Sequence, residues 1–399
     1  MTALVLGCAG RTASDPHTAP APPQSTTSTV NAALPAESPF HVVAAAFFGR
    51  GDGLHLDPFV LGERLFLHRT PLEFRDGAFV AGQVEMPEES VVGDVESELW
   101  SIRWSPLGGS LIHWKPGYRE WQPAGLVLRE DPVDWRFRSV RLYQWAPQRI
   151  VVLDQVILDT RRRDLWVWEG GPHPHALRLQ AKDGVGLDPV LTLESGELLI
   201  AADHDKDKLA YLDRWKPGAQ NPSVTLLGSG HCHPSALVSE GGSRFLVTGS
   251  TTDNAACVLR FDGASWSPIE LPDGHSSASS YAHAPDGSEW ITLRRGRVDQ
   301  LWTRSHDETW RQIPFPPLLE DPLPVGLFEL SASVFVRPSG HVWLSLFARG
   351  CSGYHELLLT TETPTHGICS LSGAQPTCGS LDDYPKHWRR WLASADCGD

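Results

Sequence analysis

The segment Leu259-Arg260-Phe261-Asp262-Gly263-Ala264-Ser265-Trp266 decides the fold. It reads as a short apolar strand, a polar Asp-Gly turn and a second strand opening on an aromatic. Asp-Gly tolerates the positive φ that a tight hairpin demands. The pattern recurs at Leu72-Glu73-Phe74-Arg75-Asp76-Gly77-Ala78-Phe79, Leu111-Ile112-His113-Trp114-Lys115-Pro116-Gly117, Leu165-Trp166-Val167-Trp168-Glu169-Gly170-Gly171 and Leu212-Asp213-Arg214-Trp215-Lys216-Pro217-Gly218. A degenerate copy runs from Leu301 to His306 and on to Trp310, and a last one is inferred around Leu357-Leu358-Leu359. Aligning Phe74, Trp114, Trp168, Trp215, Phe261, Thr303 and Leu358 gives spacings of 40, 54, 47, 46, 42 and 55.

A second motif precedes the first. Ser195-Gly196-Glu197-Leu198, Gly241-Gly242-Ser243-Arg244-Phe245, Asp286-Gly287-Ser288-Glu289-Trp290 and Ser339-Gly340-His341-Val342-Trp343 are tight Gly turns feeding apolar strands. Each apolar strand begins 13–17 residues before the hairpin marker, and another strand lies before each turn. A repeat is therefore four antiparallel strands, A to D. Four-stranded units with a period of about 45 residues are β-propeller blades. A lone four-stranded sheet exposes both faces; stacking it between two neighbours buries both, and closing the ring removes the unmatched ends. The fold class is all-β, a seven-bladed β-propeller, with six or eight blades and a pair of β-sandwiches as alternatives. The apolar run His41-Val42-Val43-Ala44-Ala45-Ala46-Phe47-Phe48 stands ready as the outer strand of the last blade.

The turn Asp262-Gly263-Ala264-Ser265-Trp266 resembles the D-G-x-x-W repeats of bacterial two-component-regulator and streptogramin-lyase-like propellers. The likeness is one of repeat grammar over roughly residues 54–362, and the streptogramin-lyase signature itself is absent. Propellers of this kind include sensors, scaffolds, lyases and hydrolases, so the likeness implies fold and not activity.

Composition agrees with a folded exported protein. Of 399 residues, 41% are hydrophobic and 21% charged, which excludes a disordered chain. The charge balance of 34 − 48 = −14 excludes an overall basic nucleic-acid-binding surface. No run of ~18 apolar residues offers a transmembrane helix. Val5-Leu6-Gly7-Cys8 resembles a bacterial lipobox, implying lipidation at Cys8, and a Pro/Ser/Thr-rich tether follows it. Met1 to Leu4 leave no room for a basic n-region, so either the true start lies upstream or the match is accidental. The expected organisation is a lipobox-like segment and disordered linker over residues 1–39, the propeller over 40–370 and a disulfide-pinned tail over 371–399. Beyond Cys8, six cysteines remain: Cys232, Cys257, Cys351, Cys369, Cys378 and Cys397. They show no C-x-x-C zinc spacing, and in an oxidising compartment they suit up to three disulfides; of the 15 connectivities that six cysteines allow, nearest neighbours in order is the pairing expected here. The expected location is the bacterial outer membrane or periplasm as a lipoprotein, or the extracellular space.

Ligands of a propeller lie where the inner A strands begin, over the central channel. Reading each A-strand start selects Asp57, Asp94, Asp188, His231, His233 and His275 as binding candidates, with His55, Arg138, Ser235, Ser280, Glu329 and Ser331 beside them. Within Gly230-His231-Cys232-His233-Pro234 the two imidazoles share one face of an extended strand. An acid within about 6 Å would ready them for proton transfer or ligand binding. A polar, water-filled rim is the plainer reading of the same residues, and no metal or cofactor is expected. Asp203, Asp205 and Asp207 alternate like the start of a calcium loop, but Lys208 stands where its Gly belongs, so a charged B–C turn is expected. No G-x-S-x-G, P-loop or dinucleotide motif is present. The function expected is a non-catalytic envelope binding or scaffold propeller whose ligand is an envelope protein, peptide or glycan. The alternative is a lyase or hydrolase using the His/Asp rim.

Overall fold

In the computed structural model, most of residues 38–378 are described; residues 1–37, 379–399 and several inter-strand segments, among them 50–57, 129–137 and 316–326, fall outside. The described residues hold strands and no helix, hence no helix able to cross a membrane.

The chain opens with β1 (His41–Gly49) and then lays down antiparallel meanders one after another. The first comprises β2 (Pro58–Leu61), β3 (Arg64–Leu67), β4 (Leu72–Arg75) and β5 (Ala78–Ala81). The second comprises β6 (Val92–Asp94), β7 (Glu98–Ser105), β8 (Gly108–Trp114) and β9 (Gln122–Leu128). The third is β10 (Arg138–Ala146), β11 (Arg149–Val156), β12 (Arg163–Glu169) and β13 (His175–Leu179). In the fourth, two short inner strands, β14 (Val185–Gly186) and β15 (Val190–Thr192), pair with β16 (Leu198–His204), followed by β17 (Leu209–Trp215) and β18 (Ser223–Leu226). The fifth is β19 (His233–Gly241), β20 (Arg244–Ser250), β21 (Ala256–Phe261) and β22 (Trp266–Pro268). The sixth is β23 (Ser277–His283), β24 (Glu289–Arg295), β25 (Val298–Arg304) and β26 (Arg311–Ile313). The seventh is β27 (Leu327–Val336), β28 (Val342–Gly350) and β29 (Gly353–Thr360), and its outer strand is β1, antiparallel to β29 with His41 opposite Thr360 and Gly49 opposite Gly353. A single parallel bridge, Val298 to Leu330, joins the sixth and seventh. This is propeller architecture.

The Gly turns read in the sequence are the A–B turns. Gly287 donates to the Ala284 carbonyl at 2.9 Å and adopts φ 85°, a conformation an L side chain resists. Gly340 repeats the arrangement with Arg337 at 2.8 Å. The hairpin markers lie on the C strands opposite the start of B, Phe74 facing Leu65 and Trp215 facing Leu198. In the seventh sheet the register corrects the alignment: Thr303 faces Trp290, and its counterpart opposite Trp343 is Thr360, two places beyond Leu358.

Apolar side chains pack between consecutive sheets. Ile112 and Trp114 meet Phe66 of the first sheet, Trp100 meets Trp168 at 4.5 Å, and Trp145 packs with Leu198 and Trp215. Leu199 and Phe245 share a cluster, as do Leu246 and Ile291, and Leu301 and Leu344. Finally Trp343 and Leu358 of the seventh sheet pack on Leu65 and Phe74 of the first, with the Phe74 and Trp343 rings 4.8 Å apart. Each such side chain, once buried, contributes roughly 1.5–3 kcal/mol.

Candidate functional site

The best-defined polar assembly lies where β23 and β27 begin, at the β24–β25 turn. Arg294, late on β24, is its centre: Nε donates to Asp299 Oδ1 at 2.7 Å, Nη1 to Glu329 Oε1 at 2.9 Å and Nη2 to Ser331 Oγ at 2.8 Å. Asp299 is 1% exposed, and its second oxygen accepts the Ala332 amide at 2.9 Å. One guanidinium thereby fixes two sheets together. The Asp299 carboxylate holds it above the ordinary arginine pKa against partial burial. Deeper in, Ser280 Oγ meets Thr292 Oγ1 at 2.7 Å and accepts the Val334 amide at 2.9 Å, stitching the inner strands. Beyond Arg294 the chain turns through Arg295, Gly296 and Arg297, with Gly296 at φ 64° and both arginines exposed.

His275 is buried beside this assembly. Its Nδ1 lies 3.0 Å from the Pro272 carbonyl oxygen and its Nε2 3.0 Å from Gln300 Oε1, while its ring meets Trp302 edge-on at 5.4 Å. With both nitrogens engaged, it acts as a strut between the fifth and sixth sheets; its own carbonyl accepts the Ala256 amide at 2.8 Å.

The remaining candidates fall in different places. Asp94 ends β6, and its carboxylate accepts the Glu96 amide and the Ser97 hydroxyl, both at 3.0 Å, so it caps the β6–β7 turn. His233 starts β19 opposite Ser250, half-buried. The preceding Cys232 is bonded to Cys257 across the fifth sheet, the first of the expected nearest-neighbour pairs. Asp57, Asp188 and His231 lie outside the described residues, as do His55, Asp205 and Asp207. Glu329, Ser331 and Ser280 join the Arg294 assembly. Sequence reasoning passed over Arg294, Asp299, Gln300 and the exposed arginines; the available signal was Arg294-Arg295-Gly296-Arg297, a cationic turn in an acidic chain. Among the described residues no group of His, Cys, Asp and Glu is arranged to hold a metal.

The other ends of the sheets carry a different charge pattern. Glu289 starts β24 and accepts from Arg304 of its own sheet and from Arg260 of the fifth at 2.5 Å, while Arg260 also holds Glu240 at 2.8 Å. Burial works against the Glu289 carboxylate, yet the two guanidiniums bring its pKa below the usual range. Like pairs join Arg214 to Glu197 at 2.8 Å, Arg337 to Glu362 at 2.9 Å, and Arg149 to Glu169. These charges are spent within and between sheets.

No family model matches the sequence, and no curated protein does. Solved structures similar to the chain include AofleA from Arthrobotrys oligospora, at 10% identity over 71% of this chain and 83% of that one, with a TM-score of 0.43. A protein from Lactobacillus plantarum aligns at 13% identity over 78% of this chain and 95% of its own, with a TM-score of 0.47. The SapL1 lectin, solved with alpha methyl fucoside, aligns at 14% identity over 65% and 90%, with a TM-score of 0.39. At such scores these likenesses carry no argument about function.

Proposed function

We propose that the chain is an exported binding propeller that takes an acid-bearing peptide or glycan of the cell envelope at the rim where the sixth and seventh inner strands begin. The observation that carries this reading is the Arg295–Arg297 turn. Two exposed guanidiniums project from a tight hairpin, next to an Arg294–Asp299–Glu329–Ser331 assembly that is already rigid. Two exposed guanidiniums beside a hydroxyl suit a ligand with acidic and hydroxyl groups, because charge-assisted hydrogen bonds from arginine to a carboxylate are strong and directional. In a chain of net charge −14 such a turn is a local attractor for anions.

The reading is non-catalytic, because His275 is buried with both ring nitrogens engaged, so it serves as a strut and not as a proton shuttle. Seven blades in a closed ring are supported by seven interlayer clusters, the last joining the seventh sheet to the first. Export is supported by the Cys232–Cys257 disulfide, since such bonds persist in oxidising compartments. A lipid anchor at Cys8, a tether over residues 1–39 and a pinned tail over 371–399 complete the proposal.

The test is a glycan and peptide array probed with intact protein at two ionic strengths. Acid-bearing ligands should be retained and should weaken as salt rises. Arg295→Ser with Arg297→Ser should lower affinity at least tenfold, about 1.4 kcal/mol, without moving Tm. Equal binding by the double variant would sink the rim reading. Turnover of a retained ligand would favour the lyase or hydrolase alternative.

A further inference from the structure

We propose that residues 361–365 and the short strands Cys369–Ser370 and Thr377–Cys378 form a disulfide-bonded strap that locks the seam between the first and seventh sheets, and that reduction at Cys369 loosens it. The path of the chain carries the argument. After β29 ends at Thr360, the Glu362 amide donates to Thr360 Oγ1 at 3.0 Å, and the Glu362 carboxylate is gripped by Arg337 at 2.9 Å. The chain then leaves its own sheet. Thr365 donates its amide and its hydroxyl to the Gly77 carbonyl of the first sheet, at 2.8 and 3.1 Å. The approach is close: a Cβ on Gly77 would lie 2.9 Å from Thr365 Cγ2 and 3.1 Å from the Thr363 carbonyl oxygen. Next comes β30 (Cys369–Ser370), which runs parallel along β1 with Cys369 beside Ala44, and β31 (Thr377–Cys378), which folds back so that Cys378 stands opposite Cys369 in register.

The strap thus touches both sides of one seam. Cys369 is 2% exposed and belongs to the cluster that contains Val43, Ala44 and Ala46 of β1, Leu65 and Phe74 of the first sheet, and Trp343 of the seventh. It also covers the outer edge of β1, which would otherwise present unpaired backbone groups. Two-residue strands do not hold themselves in place, since even an isolated hairpin is marginal in water. Cys369, however, is disulfide-bonded, and a closed loop limits the freedom that detachment would gain. A dithiol that delivers two electrons would convert this bond to two protonated thiols and leave as its own cyclic disulfide. The strap would then rest on the Thr365 and Glu362 contacts and on the short β30–β1 pairing, with no covalent closure behind them. This inference does not depend on the ligand reading.

The experiment is hydrogen exchange on the full chain, comparing the wild type before and after dithiothreitol with Cys369→Ser, which leaves Cys232–Cys257 intact. Amides of β1, β3 and β4 should exchange at least tenfold faster in Cys369→Ser and in the reduced wild type, while those of β24 and β25 keep their rates. Thr365→Pro removes the donor to Gly77 without touching any cysteine and should give a weaker change of the same pattern. Unchanged exchange in β1 and β4 in both variants would overturn the strap. So would a uniform rise across all sheets, which would mean that Cys369 supports global stability and not one seam.

Discussion

Two glycines show how the backbone sets limits that side chains elsewhere obey. Gly287 sits at φ 85° with open space where a Cβ would go, so Gly287→Ala meets conformational strain only. The expected loss is ~1–2 kcal/mol. At Gly249 a Cβ would fall 1.8 Å from the His233 carbonyl oxygen, next to the Cys232–Cys257 bond. Backbone must shift there, and Gly249→Ala should cost more than Gly287→Ala; urea unfolding of both variants measures the difference, and the reverse order would contradict the close approach. A third residue sets a pH dependence. Burial lowers the pKa of His355 from 6.5 to about 3. The unfolded chain takes up this proton near pH 6.5 while the folded one does not, so stability falls as pH drops through that window and levels off only near 3. Between pH 7 and 5 the loss is roughly 2 kcal/mol, at about 1.4 kcal/mol per pH unit. Glu289 adds a loss of the same sign only below its ordinary 4.5, because its folded pKa is depressed. His355→Gln should therefore flatten the profile between pH 7 and 5; parallel profiles for variant and wild type would exclude His355 as the cause.

At the scale of strands and turns, the sequence was readable wherever one residue performs one local task. Gly in the A–B turns of the fourth to seventh sheets takes up positive φ, and a charged residue recurs at the start of B because it faces the end of C. Glu289 opposite Arg304 and Arg149 opposite Glu169 are the same position in two sheets. The hydrophobic clasp of β1 was also legible, as an apolar segment with no turn partner of its own. What escaped was anything assembled across sheets. Arg294 reaches Glu329 over 35 positions of sequence, and no spacing rule announces that pair. Asp94 looked like a rim acid because it adjoins an A strand, but that strand is only Val92–Asp94, so its end rather than its start was being read. His275 stands just before β23, and its neighbours Gln300 and Trp302, which come from β25, remove it from solvent. Among the cross-sheet ties, Glu289 is the most exposed to test. Glu289→Gln leaves Arg260 and Arg304 sharing a neutral acceptor, with an expected cost of about 1–3 kcal/mol. Equal stability of variant and wild type in chemical denaturation would show that this network is compensated by water.

On the scale of the whole molecule, repeat proteins derive stability from nearest-neighbour interfaces, so the ends are their weak points. Here β1 serves two interfaces at once. Val42 and Ala45 face the cluster shared with Leu301 and Leu344, whereas Val43, Ala44 and Ala46 face the one shared with Leu65 and Phe74. Losing β1 strips side chains from both and leaves β29 as an open edge. A chain beginning at Ser38 keeps all of these contacts and should unfold in one cooperative transition at the Tm of the full-length protein. A chain beginning at Gly51 should unfold at lower temperature and in more than one step, since sheets near the gap lose a neighbour while the fourth and fifth keep theirs. Calorimetry of the two truncations decides the matter. If the shorter chain unfolds in a single transition at an unchanged Tm, β1 contributes nothing to closure, and the seam is held by the remaining contacts of Trp343 with Phe74 and of Thr365 with Gly77.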